Sequence, residues 1–179
     1  RALIDGSSAL LILPLAFLVP LPEGSWGWLF TSISIHFVYL VCLIKAFEGA
    51  DMSAVYPVMR GSAPVLAATV SVLWLRDPIT PAVVAGTLLV SLGTVLVAWW
   101  NSPSRRSLGW ALATGAMIAT YTVVDARGIR STPDAMSYIV WLFLLHGMLI
   151  ALSFALWRGP RFIAEARAQW RPGLIAGAM

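Results

Sequence analysis

At 179 residues, 59% hydrophobic and 11% charged, the chain has too few charges to clothe a soluble domain, which is typically about 25% charged. Its nine tryptophans and eleven prolines suit a membrane and its interfaces. The net charge of +4 would suggest nucleic acid on a soluble chain. Here the basic residues fall in short segments between apolar runs, so they read as membrane topology and nucleic acid is excluded as a partner.

A spanning helix needs about 20 mostly apolar residues. Runs of this kind lie at about 2–21, 26–44, 52–75, 81–100, 108–124 and 135–157, and a further, incomplete one begins at 172–179. In lipid the backbone must satisfy its own hydrogen bonds, and no run alternates as a barrel strand would. The expected fold class is therefore an all-α integral membrane protein, a polytopic helical bundle. Residue 1 is Arg, and the last run has only begun, so the chain reads as an internal fragment of a longer protein.

The first span contains Pro14 and Pro20. The second is uncharged and carries His36 and Tyr39, which are three apart and so share a helix face. Its cysteine, Cys42, reads as a small packing residue. Lys45, Glu48 and Asp51 follow and predict a solvated loop with a local ion pair. The third span, MSAVYPVMRGSAPVLAATVSVLWL, carries one charge, Arg60.

The fourth span ends at Trp99 and Trp100, which suit an interface. The polar segment Asn101–Ser107 then divides a four-helix part from a later part. The fifth run closes with Tyr121, Thr122 and Asp125, where Asp125 either caps the run or faces a cavity. The sixth holds Trp141 and His146, and His146 reads as a packed or interface residue. Residues 162–170 alternate apolar and charged side chains at helical spacing, which predicts a segment lying along the interface. Small-residue pairs at 82/86, 109/113 and 173/177 predict close helix packing, and a homodimer stays open.

Loop charges bear on orientation. One set of loops carries Arg76, Arg127 and Arg130. The other carries Arg1, Lys45, Arg105, Arg106, Arg158, Arg161, Arg167 and Arg171. The second, more basic set is favoured as cytoplasmic.

Arg60 is the residue most at odds with its surroundings. An arginine at membrane depth costs at least ~2.5–3.5 kcal/mol on insertion scales. It therefore calls for a partner, a wet cavity or an anionic ligand. Pro57 and Pro64 each lack a ladder donor, and Gly61 admits close approach, so a bent or broken helix is expected around Arg60. One reading has Arg60 binding an anionic group such as a carboxylate, or pairing with an acid in a gate. The other is a structural ion pair, or snorkelling to the interface. Glu48 and Asp51 are poor direct partners, because Asp51 lies about 13 Å away along a helix. A cavity wall needs a few polar groups on an apolar surface, and Arg60, Tyr56, Tyr39, His36, Tyr121 and Asp125 are the substrate-binding candidates. There is no phosphate loop, HExxH motif, cysteine pair or acidic cluster, so an enzyme is not expected and no cofactor is implied.

Three stretches together carry a resemblance. They are His36-x-x-Tyr39 with Ala46-Phe47-Glu48-Gly49-Ala50-Asp51-Met52-Ser53, then Tyr56-Pro57-Val58-Met59-Arg60-Gly61-Ser62-Ala63-Pro64, then the turn Trp74-Leu75-Arg76-Asp77-Pro78-Ile79-Thr80. The chain resembles the EamA-type transporters of the drug/metabolite transporter superfamily. The Gly-containing helix over residues 85–96 and the Leu108-Gly109-Trp110 start fit the same pattern, although Asp77 stands where the family commonly has Glu.

The resemblance implies a ten-helix protein of two inverted five-helix repeats. Residues 1–100 would be the first repeat without its first helix, 101–107 the linker, and 108–179 the start of the second repeat. It also implies both termini in the cytoplasm, which puts the Arg158–Arg171 loop outside and opposes the charge count, so orientation stays open. The implied function is secondary active transport, as an exporter of small metabolites or amino-acid-like solutes across the inner membrane by alternating access. Asp125 would then be a proton or cation site. A membrane scaffold or partner-binding subunit is the alternative.

Overall fold

The computed structural model describes residues 2–48, 50–75, 78, 80–101 and 104–159. Its elements are α1 (Ala2–Ile12), a 3₁₀ turn (Leu13–Phe17), α2 (Trp26–Phe47), α3 (Met52–Val70), a π-helical turn (Ser71–Leu75), α4 (Pro81–Asn101), α5 (Arg105–Arg130) and α6 (Ala135–Arg158). Among the described residues there is no strand. Among the described residues four helices, α2, α4, α5 and α6, are long and apolar enough to cross a membrane. The turn at Arg76-Asp77, the interfacial stretch at 162–170, the 173/177 pair and the start of a further span at 172–179 lie outside the described residues.

Several expected boundaries move. The run at 2–21 is not one helix: α1 gives way to the 3₁₀ turn, with Pro14 in its first positions. Proline cannot donate to the α-ladder, and a tighter i→i+3 turn accommodates that loss. α3 is not among the four apolar helices, because Arg60, Tyr56 and the two prolines dilute its apolar character. The expected break around Arg60 is absent. α3 runs as one α-helix with Pro57 and Pro64 inside it, and departure from α geometry comes later, at Ser71–Leu75. Burial of Ala54, Val55, Val58, Met59 and Ala63 anchors the helix through both prolines. α5 starts before Leu108 and ends beyond Val124, because basic residues at its ends continue the helix although they end the apolar run.

The chain divides into two compact units, one of residues up to Ile33 and from Arg127 onward, the other Ser34–Ala126. In the first unit α1 packs on α6. A Cβ on Gly147 of α6 would strike the Asp5 carbonyl of α1 and approach Ala9 at 2.7 Å, and one on Gly6 would come within 3.1 Å of Ala151. Glycine here lets two helix backbones touch. Gly128 meets the ring of fully buried Tyr138 in the same way. Trp26 packs edge-on against Trp141 at 5.9 Å.

Asp134 caps α6, accepting from the Met136 amide at 3.1 Å and the Ser137 amide at 3.2 Å. Ser137 Oγ in turn donates to the Pro20 carbonyl. Asp134→Ala is expected to cost about 1 kcal/mol and Asp134→Asn only a fraction of that. Thermal unfolding of the two variants in detergent measures the difference.

In the second unit, Ala46, Ala54, Val55, Val58, Met59 and Ala111 form the core, flanked by Leu43, Phe47 and Trp110. Small side chains dominate, so the helices sit close. Gly61 of α3 faces Thr94 of α4, and Gly115 of α5 faces Ser62 of α3. By contrast, Gly86 and Gly109 face open space. The 82/86 and 109/113 pairs therefore make no close contact at their glycines, since four-residue spacing identifies a face but not what covers it. None of the described side chains of α4 is buried, and Leu89, Leu92 and Leu96 are among its outward residues.

Candidate functional site: an arginine among aromatic rings

The second unit brings five of the six expected site residues together from three helices. On α3, Tyr56 and Arg60 stand one turn apart on one face. Arg60 Nε donates to Tyr56 Oη at 3.2 Å, and the guanidinium carbon lies 5.5 Å from the Tyr56 ring centroid. That geometry combines a hydrogen bond with a cation–π contact. On α2, His36 and Tyr39 meet edge to face at 6.3 Å. Tyr121 of α5 stacks on His36 at 4.0 Å with 25° between the ring planes, and meets Tyr39 edge-on at 6.0 Å. Tyr39 and Tyr121 also lie within electrostatic range of Arg60. Tyr39 is 8% exposed and Tyr56 42%, so the cluster grades from a buried floor to an open rim, where Arg60 is exposed.

The charge balance is more specific. Tyr56 is the partner Arg60 has among the described residues, and no carboxylate forms an ion pair with it there. Glu48 is engaged elsewhere: Lys45 Nζ donates to both of its carboxylate oxygens, at 2.8 and 3.1 Å, which is the local ion pair the sequence predicts. Asp51 holds the N-cap position of α3 without a side-chain cap bond. Asp125 is an interior residue of α5 rather than its cap. It is half-buried and lies one turn beyond Tyr121 on the same face. Among the described residues Arg60 forms an ion pair with none of these three acids. With Nε committed to Tyr56, the two Nη groups keep their N–H donors for a ligand, in the fork that matches a carboxylate.

A separate cavity of the second unit is lined by other residues. That cavity, about 820 Å³, is walled by residues that include Val58, Ser62 and Leu66 of α3, Ser91 and Thr94 of α4, and Leu112 of α5. At 3.6 residues per turn, Val58, Ser62 and Val65 lie on the face of α3 opposite Tyr56 and Arg60. α3 therefore separates two environments, one aromatic and cationic, the other apolar with hydroxyls. Ser91, Thr94 and Ala98 repeat at helical spacing in the sequence. That periodicity could have marked the second environment, but no charge drew attention to it.

The aromatic contacts carry their own expected result. Tyr121→Phe retains the stack on His36, whereas Tyr121→Ala removes it. A double-mutant cycle of Tyr121→Ala with His36→Ala is expected to give a coupling of about 0.5–1.5 kcal/mol, read from unfolding midpoints.

No family model, curated protein or solved structure matches the chain.

Proposed function

We propose that the chain forms the core of a secondary transporter, of the EamA type within the drug/metabolite transporter superfamily. In this reading it sits as a multi-pass protein in the cell inner membrane, within a ten-helix protein of two inverted repeats. It exports a small metabolite or amino-acid-like solute by alternating access. The observation that carries the reading is Arg60: a guanidinium on a largely apolar helix, steadied by Tyr56, with no acid paired to it among the described residues. Such a cation suits an anionic group on a solute. The rings of His36, Tyr39 and Tyr121 offer flat apolar surface for the remainder of that solute, and Asp125 is assigned the coupling proton or cation. No catalytic step and no cofactor belong to this reading.

A membrane scaffold or partner-binding subunit is the second reading, favoured by the uncovered apolar length of α4. Binding separates the two. The full-length protein in detergent is heated with a panel of amino acids and monocarboxylates, and with the amide of each. A rise in the unfolding midpoint with the acids alone supports the site. Equal response to acids and amides, or none to either, removes it.

A further inference from the structure

The cavity on the opposite face of α3 has its own chemistry. Three hydroxyl-bearing residues, Ser62, Ser91 and Thr94, line it, and each spends its proton on its own helix. Ser62 Oγ donates to the Met59 carbonyl at 3.4 Å, Ser91 Oγ to the Thr87 carbonyl at 2.6 Å, and Thr94 Oγ1 to the Val90 carbonyl at 2.8 Å. A hydroxyl whose proton is committed still has lone pairs to accept with. The wall therefore offers acceptors from its hydroxyls in an otherwise apolar surround, and no charged side chain is among its described lining residues.

We infer that this cavity is a binding site for an uncharged lipophilic molecule bearing hydroxyl or amide N–H donors. An anion would find no positive charge among the described residues of this wall. A cation would find no carboxylate among them, and burying a charge without a partner is costly. A hydrocarbon tail would fill the space but leave the acceptors unanswered. Ser91 and Thr94 stand near the middle of α4, at a depth where the acyl chains of a bilayer carry no donor. The volume, about 820 Å³, falls in the range of small-molecule pockets, roughly 300–1,000 Å³. The site is distinct from the Arg60 cluster and does not rest on the transport reading.

The test compares 1-naphthol with 1-methoxynaphthalene, which share an apolar body and differ in one donor. Binding is measured by fluorescence to the full-length protein in nanodiscs, with empty nanodiscs as background. The protein is expected to prefer the naphthol about fivefold or more, the worth of a net hydrogen bond. Ser91→Ala and Thr94→Val each reduce that preference, while Thr94→Ser keeps it. Equal affinity for the two probes, binding no greater than to empty nanodiscs, or a preference untouched by both hydroxyl deletions overturns the inference. Retention of the preference in Thr94→Ser shows that its loss in Thr94→Val reflects the missing hydroxyl.

Discussion

Arg60→Ala is expected to weaken carboxylate binding by about 10- to 150-fold, since hydrogen bonds to a charged group are worth about 1.5–3 kcal/mol. Arg60→Lys retains the charge but loses the planar fork and the Nε hydrogen bond to Tyr56, so it falls between the two. Tyr56→Phe keeps the ring and removes the oxygen that accepts the Nε proton; a loss of about fivefold follows. Stability is expected to move little in Arg60→Ala, because the side chain is exposed and its removal strands no carboxylate among the described residues. Isothermal titration with the best carboxylate of the thermal panel, run beside unfolding midpoints, reads both quantities. A large drop in stability with binding unchanged would instead make Arg60 a structural residue.

The second large effect concerns the closeness of α3 and α4. A Cβ on Gly61 would fall inside the side chain of Thr94, overlapping Oγ1 and Cβ and meeting Cγ2 at 2.7 Å. Gly61→Ala is expected to destabilise the fold by about 1–3 kcal/mol, the usual cost of overpacking. Thr94→Ala does not relieve the clash, because the Thr94 Cβ is itself in the way; Thr94→Gly does. The pair Gly61→Ala with Thr94→Gly should therefore be more stable than the sum of its single changes predicts. Gly86→Ala and Gly93→Ala enter open space and should be neutral or slightly stabilising, since alanine favours helix by up to about 1 kcal/mol. Thermal unfolding in detergent measures the set. If Gly61→Ala were as silent as Gly86→Ala, the close α3–α4 packing would be wrong.

Much of the helical layout is legible from uncharged length alone. α2, α4 and α6 cover the expected runs at 26–44, 81–100 and 135–157 with small shifts at their ends. α5 is longer than its apolar run because hydropathy marks what lipid tolerates, whereas hydrogen bonding decides where a helix stops. Arg105, Arg106, Arg127 and Arg130 all lie inside it. Pro14 and the pair Pro57/Pro64 show why proline alone is a weak guide. The first stands where the α-ladder tightens to 3₁₀, the others inside a helix held by its buried face.

At the site, residue types were legible and their geometry was not. Arg60 stands out as a charge in an apolar run, and Tyr56 is within helical reach of it. The 4.0 Å stack of His36 on Tyr121 joins residues 85 positions apart in sequence, so only packing reveals it. The apolar cavity went unseen because serine and threonine back-bonded to their own helices look, in sequence, like ordinary membrane-helix residues.

Transport is tested directly by solute movement through the full-length protein in proteoliposomes. A radiolabelled carboxylate identified by the thermal panel is loaded inside, and its release is followed after a proton or sodium gradient is imposed. Release is expected to be faster than from protein-free vesicles and slowed at least tenfold by Arg60→Ala. Tight, Arg60-dependent binding with release no faster than from empty vesicles would contradict transport and leave a partner-binding or scaffold role in its place.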